Sequence, residues 1–438
     1  MLLVNLVKFN IVQHGGKEHA VSKEQGTHRL VILGSMDEFI ELVKVAQRRG
    51  IYVIVCDGYE NGPAKKVADK SYTIDVRNTD AIAQMCKDEQ VDGIIASFSD
   101  LLAECLVNIA DKAGLPCYST PERFATLREK TRMKEMFSEL EIPFPSSTIL
   151  HKETLASDLE KIGLPCVVKP VNGYGSRGIY KFDSLSEIEE HFDEITSYSD
   201  FDYILAEEYN DGFEFNMMTW LVDGEPQVLS IADREKSVEI PNAIPHVSRC
   251  AYPSRLIDAV YEDARAILTK VAKYVGMTSG PLSMQFFYKP EEGIQVCECA
   301  GRLFGYEHEL VTLASGLSIE ELLIDYVYDD EALRKKLANH SPFFTTCSAG
   351  LYFHGYEGEV KQVFAPSNLE NIRQILPYYQ PGENIKHGVG AKPYAVRYYI
   401  TAPNREELDS ITERLFNEVH VQDDKGIDLL YRNQMTKY

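Results

Sequence analysis

The chain has 438 residues, 44% of them hydrophobic and 26% charged, and its 45 Lys and Arg against 67 Asp and Glu leave a net charge of −22. That length exceeds what one hydrophobic core usually serves, so two or three domains are expected. So acidic a surface repels phosphate backbones and anionic lipid, which argues against nucleic acids and membrane surfaces as partners. An anionic nucleotide would need a local basic pocket. The nine cysteines are scattered singly apart from Cys297 and Cys299. Their odd number and lack of zinc-site spacing argue against a disulfide framework and for a reducing cytoplasm. No apolar stretch reaches the length of a membrane span. Met1–Val12 lacks the basic start and small-residue cleavage site of a signal peptide.

Residues 1–28 read as a flexible leader. From Arg29 the apolar stretch 30–33 predicts a strand ending at Gly34. A helix carrying Phe39, Ile40, Val43 and Ala46 follows, stopped by Gly50. The pattern repeats as strand Tyr52–Cys56, strand Tyr72–Ile74, helix 80–89, strand Gly93–Ala96, helix 100–113 and strand Pro116–Tyr118. Strands alternating with helices predict a parallel sheet covered on both faces, a Rossmann-like domain over 29–120. Gly34 stands without a G-x-G-x-x-G fingerprint, so dinucleotide binding has little support.

A second region, 121–330, opens with helices over 122–140 and a break at Ile142-Pro143-Phe144-Pro145. A helix over 152–162, a strand Cys166–Lys169, a glycine-rich turn and a strand Ile179–Phe182 follow. Ser184 and Glu187 form a capping box for the next helix. Strands Tyr203–Glu208 and Phe215–Val222, a helix over 255–275 and strands 282–288 and 294–299 predict an antiparallel sheet. Between them, Asp233–Ser254 reads as an irregular, charge-bearing loop with Arg234, Lys236, His246 and Arg249. The third region, 340–438, has a strand Ala395–Thr401 and a helix with Leu408, Ile411 and Leu415 on one face.

The strongest chemical signal is Val167-Val168-Lys169-Pro170-Val171-Asn172-Gly173-Tyr174-Gly175-Ser176-Arg177-Gly178. A lysine ending an apolar strand before spaced glycines suits a triphosphate, because glycine lets backbone N–H groups turn inward while the cations supply charge. The run is not a P-loop, since the G-K-[ST] ending is absent and a strand follows. Downstream lie Ala206-Glu207-Glu208-Tyr209-Asn210-Asp211-Gly212-Phe213-Glu214, then Met284-Gln285-Phe286, then Cys297-Glu298-Cys299-Ala300-Gly301-Arg302. Upstream lies Arg128-Glu129-Lys130.

In this order and spacing the motifs resemble the ATP-grasp superfamily, with carbamoyl-phosphate-synthase-like and biotin-carboxylase-like members as the nearest likeness. The resemblance covers nearly the whole chain from residue 29. It implies an α/β and α+β multidomain protein: a pre-ATP-grasp domain over 29–120, an ATP-grasp domain over 121–330 with a mobile lid at about 147–208, and a small C-terminal α+β domain over 340–438. It implies ATP with Mg2+, one or two ions, for which Mn2+ can substitute. Lys130 and Lys169 would hold the inner phosphates. Gly173, Gly175, Ser176 and Gly178 would belong to the lid over the outer one. Glu207, Glu208, Tyr209 and Asn210 would line adenine, and Glu214 would bond the ribose. Gln285 and Glu298 would bind metal. Arg302 would stabilise the transferring phosphoryl group, and Lys236 would contact substrate.

Many relatives carry Glu-x-Asn where this chain has Glu298-Cys299-Ala300, which puts a second metal in doubt. Strand alternation places Cys297 and Cys299 together on the face opposite Glu298. The implied activity joins a small carboxylate, activated as an acyl phosphate, to an amine, releasing ADP and phosphate. Bicarbonate activation as in biotin carboxylases, suggested by Tyr306-Glu307-His308-Glu309, and a non-catalytic nucleotide-binding protein stand as alternatives. A homodimer is common in such folds.

Overall fold

The computed structural model describes residues 28–172, 178–238, 245–387 and 391–438, so the leader expected over 1–28 lies almost wholly outside the described residues. Arg29–Leu33 (β1), Tyr52–Cys56 (β2), Lys70–Tyr72 (β3) and Gly93–Ile95 (β4) form a sheet in the order β3-β2-β1-β4, parallel throughout. β1, β2 and β4 are apolar because helices cover both faces. Leu30, Ile32, Val53 and Val55 pack with Leu42, Val43 and Ala46 of α1 (Ile40–Arg48). Val31, Leu33, Ile54 and Ile94 pack with α2 (Thr79–Asp88) and α3 (Asp100–Ala113).

Two expected strands differ. β3 lies at Lys70–Tyr72, not Tyr72–Ile74, because it ends where its partner ends, Cys56 pairing with Tyr72. Pro116–Tyr118 joins no sheet: Pro116 has no N–H for a ladder. Tyr118 instead donates its hydroxyl to Gly301 O at 2.9 Å, tying the first region to the second.

After α4 (Pro121–Thr126) and α5 (Lys130–Glu139) comes a separate four-stranded antiparallel sheet. Its strands, Ser147–Leu150 (β5), Cys166–Lys169 (β6), Tyr180–Phe182 (β7) and Ile204–Glu208 (β8), run in the order β5-β8-β6-β7. Leu150, Leu159, Cys166, Val168, Phe182, Ile188, Phe192 and Ile204 give it a core of its own. The helix expected over 152–162 is shorter: a 3-10 turn leads into α6 (Leu155–Leu159), and the chain leaves through Gly163 at φ +81°. α7 (Leu185–Thr196) begins at the expected box, Ser184 Oγ accepting from Glu187 N while Glu187 accepts from Asp183 N at 3.2 Å.

The largest sheet has eight strands. Phe213–Val222 (β9), Glu225–Lys236 (β10), Val247–Tyr252 (β11), Ser279–Lys289 (β12), Gly293–Ala300 (β13) and Cys347–Phe353 (β14) run in the order β13-β12-β9-β10-β11-β14, followed by Val396–Ala402 and Ile372–Pro377. α8 (Ile257–Tyr274) covers one face, packing on Phe215, Met217, Met284 and Phe286. Of the segment expected as an irregular loop over 233–254, residues 233–236 belong to β10 and 247–252 to β11. Its charges are strand residues with buried partners: Arg249 meets Glu235 and Asp409, and Arg234 meets Glu214 and Glu307. The sheet also runs past residue 340, whose region supplies the last three strands. Among the described residues no helix is long and apolar enough to cross a membrane, and all nine cysteines are free thiols.

Candidate active site

β6 sends Cys166 and Val168 into the core of the small sheet, so alternation turns Lys169 to the other face. Its neighbour β8 places Glu207 opposite Val167, diagonal to Lys169 and on the same side. Lys169 Nζ lies 2.7 Å from Glu207 Oε1, and Lys134 Nζ from α5 reaches that same oxygen at 3.1 Å. All three side chains are buried. Burial opposes a charge on Glu207, but Lys134 and Lys169 outweigh it and hold its carboxyl down at about 2. Burial likewise works against the Lys169 ammonium, and Glu207 leaves it above its usual value. One turn before Lys134, Lys130 begins α5; burial, with Lys169 beside it, pushes its ammonium down to about 8. The lysines expected at the phosphates therefore meet, joined by Lys134, which the sequence reading missed.

A second cluster lies on the face of the large sheet opposite α8. Asn216 pairs with Gln285, and Gln285 with Glu298, so the three share that face with Glu214. Glu214 is not open for a ribose contact in this arrangement. It accepts from Arg234 Nε at 2.7 Å and Gln285 Nε2 at 2.8 Å, and Lys236 Nζ stands 2.7 Å from its other oxygen. Burial raises the Glu214 carboxyl, but Lys236 and Arg234 hold it below the usual range. Arg234 also donates to Glu307 at 3.0 Å, and Glu307 accepts from Asn216 at 2.8 Å and Tyr252 at 2.9 Å.

The register shifts between Gln285 and Phe286, whose partners are Glu298 and Val296, so Cys297 is the extra residue of a bulge. This corrects the expectation that Cys297 and Cys299 share a face. Cys299 packs in the α8 core, whereas Cys297 sits half-buried in the bulge and its carbonyl accepts from Lys134 at 3.3 Å. Burial pushes both thiols up, Cys297 to about 11, which suits inert thiols rather than metal ligands.

Gln285 and Glu298, as direct cross-strand partners, bring one amide and one carboxylate to a single spot. Gln285 uses its N–H2 on Glu214, which leaves the amide oxygen as its acceptor. Such a pair fits a hard cation that takes its remaining ligands from phosphate and water. Among the described residues no three His, Cys, Asp or Glu side chains converge as a metal site. Ala300, opposite Ser283, adds no oxygen ligand.

Arg302 is engaged with the first domain. Its Nε and Nη2 both donate to Asp100 at 2.7 Å, its Nη1 donates to Leu303 O at 3.3 Å, and its guanidinium lies over Phe304. Burial disfavours both charges, yet Arg302 holds Asp100 below its usual range and Asp100 raises Arg302 above its own. A guanidinium has five N–H donors, so this pose leaves two for a further partner. Asp100 gave no signal in the sequence beyond opening a helix.

Beyond β8, Lys181 lies 4.4 Å from the centre of the Tyr209 ring. Asn210 donates to Gln295 at 2.7 Å and accepts from Gly212 N at 2.7 Å, while Glu208 is exposed. Gly173, Gly175 and Ser176 lie outside the described residues. Gly178 sits at φ +68°, a conformation L side chains rarely adopt.

Comparison with known proteins agrees with this layout. The ATP-grasp domain family matches residues 162–308, and the PylC-like N-terminal domain family matches residues 30–113. A formate-dependent phosphoribosylglycinamide formyltransferase of Methanocaldococcus jannaschii is 31% identical over 172 residues, 38% of this chain and 43% of the relative. Another from Bacteroides fragilis is 24% identical over 304 residues, 67% of this chain and 74% of the relative. The chain thus spans under half the length of the M. jannaschii relative. Among solved structures, an L-amino acid ligase from Bacillus licheniformis superposes with TM-score 0.76 at 18% identity, over 90% of this chain and 98% of that one. Phosphoribosylglycinamide synthetase from Anaerococcus prevotii does so with TM-score 0.68 at 20% identity, over 90% and 99%.

Proposed function

We propose that this chain, which carries an ATP-grasp domain behind a PylC-like N-terminal domain, is an ATP- and magnesium-dependent ligase that activates a small carboxylate and joins it to an amine. The observation that carries the reading is the convergence of Lys134 and Lys169 on one buried carboxylate oxygen, with Lys130 one turn away. In a chain of net charge −22, so concentrated a buried positive charge is costly unless an anion answers it. The name of the curated relatives, formate-dependent formyltransferases, points to a small carboxylate as the group activated.

In this reading Lys130 and Lys169 hold the inner phosphates, while Glu208, Tyr209 and Asn210 border the base. Bound at Gln285 and Glu298, one magnesium ion supplies charge neutralisation at the phosphate oxygens. The substrate carboxylate attacks the γ-phosphorus, the bond from that phosphorus to the bridging oxygen breaks, and ADP leaves with the electron pair. Arg302 uses its two remaining N–H groups on the transferring phosphoryl group. The amine then attacks the acyl carbon, phosphate departs, and the ammonium proton is lost. Lys236 contacts the substrate from β10, its charge balanced by Glu214.

The test is incubation with MgATP, pooled small carboxylic acids and pooled amines, with chromatography of the nucleotides. ADP and phosphate should appear only with magnesium and a suitable acid, and added hydroxylamine should divert the acyl phosphate to a hydroxamate. AMP and pyrophosphate as the main products would overturn the mechanism.

A further inference from the structure

We infer that Lys134 is a positioning residue that keeps Glu207 charged and in place when Lys169 turns from it to a nucleotide phosphate. The inference rests on the function proposed above. It begins from a geometry that a simple ion pair does not need: two ammoniums approach the same oxygen, Lys169 at 2.7 Å and Lys134 at 3.1 Å. Lys169 ends β6, where the glycine-rich run begins, and is the member that the proposed function takes to a phosphate. Lys134 is fixed from three sides. It lies in the middle of α5, donates to Cys297 O at 3.3 Å, and rests 5.1 Å from the Phe144 ring centre and 5.8 Å from that of Phe137.

Glu207 is only 4% exposed, so losing Lys169 with nothing in its place would leave an uncompensated buried charge. The titratable groups that act on the carboxylate are Lys134 from α5, Lys169 from β6 and Cys297 from β13. Of these, Lys134 is the cation that can stay. With Lys134 in place, Glu207 remains a carboxylate through binding, and no proton is exchanged there. Without it, the departing Lys169 strips Glu207 of its partner, and the buried carboxyl must take up a proton.

The experiment compares the full chain with Lys134→Met, Lys134→Arg and the double variant Lys134→Met/Glu207→Gln. MgADP binding is measured by calorimetry from pH 6 to 8.5 in buffers of different ionisation enthalpy, and folding is checked by circular dichroism. Lys130 takes up protons near its own value of about 8 in every variant, so the reading is the difference from wild type. Lys134→Met should bind about tenfold more weakly at pH 7.5. It should also take up extra protons on binding, so its affinity falls as pH rises relative to wild type. Lys134→Arg should restore both. The double variant, whose carboxamide needs no counter-ion, should lose the extra uptake and supplies the reading if Lys134→Met alone does not fold. Lys134→Met that binds with no extra proton uptake, or a double variant that keeps it, would overturn the inference. Wild-type protein that binds no nucleotide would instead overturn the proposed function.

Discussion

Lys169 ends an apolar strand facing away from its own core and shares Glu207 with Lys134. Removing it has a consequence that burial alone would not suggest. In Lys169→Ala the Glu207 carboxylate keeps Lys134, so no charge is orphaned and the fold should survive. On the proposed function, what goes is a charge-assisted phosphate contact, worth about 1.5–3 kcal/mol. Nucleotide affinity should therefore drop tenfold or more, while the circular dichroism spectrum stays unchanged. Calorimetry showing unaltered affinity would move the phosphate site elsewhere. At this scale the sequence made Lys169, Glu298 and Arg302 legible as motif residues. It left Lys134 and Asp100 silent, because neither sits in a glycine-rich or strand motif and each acquires its role from a partner far along the chain, Glu207 and Arg302.

The four-stranded sheet β5-β8-β6-β7 is the element with the clearest independence, since Leu150, Val168, Phe182, Phe192 and Ile204 form a core separate from those of the other sheets. A unit of that kind opens on its own, below the free energy of global unfolding. Its entry to β7 is Gly178, at φ +68° with the Tyr198 ring 2.7 Å from where a Cβ would stand. Gly178→Ala should destabilise this unit by about 1–2 kcal/mol, through backbone strain more than the yielding contact with Tyr198. Hydrogen exchange should show lost protection in β6, β7 and β8, with the parallel sheet β1–β4 unaffected. Equal losses in both sheets would mean that the unit does not open independently. The boundaries of β6, β7 and β8 were legible within a residue, whereas β5 was not read as a strand at all. The extent of α6 was not legible, because the apolar period continues past Leu159 while Gly163 redirects the backbone.

At the scale of the whole molecule, the three regions meet around His308. It is fully buried, stacked on Phe98 of the first region with ring centres 3.9 Å apart, and set between Glu309 at 3.3 Å and Glu320 at 3.2 Å. Burial works against its charge, but Glu309 and Glu320 outweigh it and raise the imidazolium to about 9. Nearby, burial above all raises Glu38 to about 8. Arg397, from the third region, reaches Asp37 of the same loop at 3.1 Å. Both shifted groups bind their protons more tightly folded than unfolded, so stability falls as pH rises. The His308 contribution is full below about 6.5, the unfolded value, and is lost as pH passes about 9. Thermal unfolding should show a loss on the order of 1–3 kcal/mol between these limits. His308→Gln should flatten that slope whatever its effect on stability at pH 6.5; an equally steep slope would remove His308 as its cause.

By itself the sequence determined the periodicities and the ordered motifs. Alternating apolar strands and helices gave the parallel sheet, because a doubly covered sheet must be apolar on both faces. The glycines after Lys169 and the carboxylate of Glu298 named the chemistry, because few residue types can approach phosphate or ligate a hard cation. Tertiary structure alone decided which charges meet. β10 and β11 were hidden because Arg234, Glu235 and Arg249 read as a solvated loop until their partners on other elements bury them. The bulge at Cys297 reset the facing of β13, since one extra residue changes every side that follows. The shared carboxylate of Glu207 likewise exists only because α5 brings Lys134 to it, a contact with no trace in local pattern.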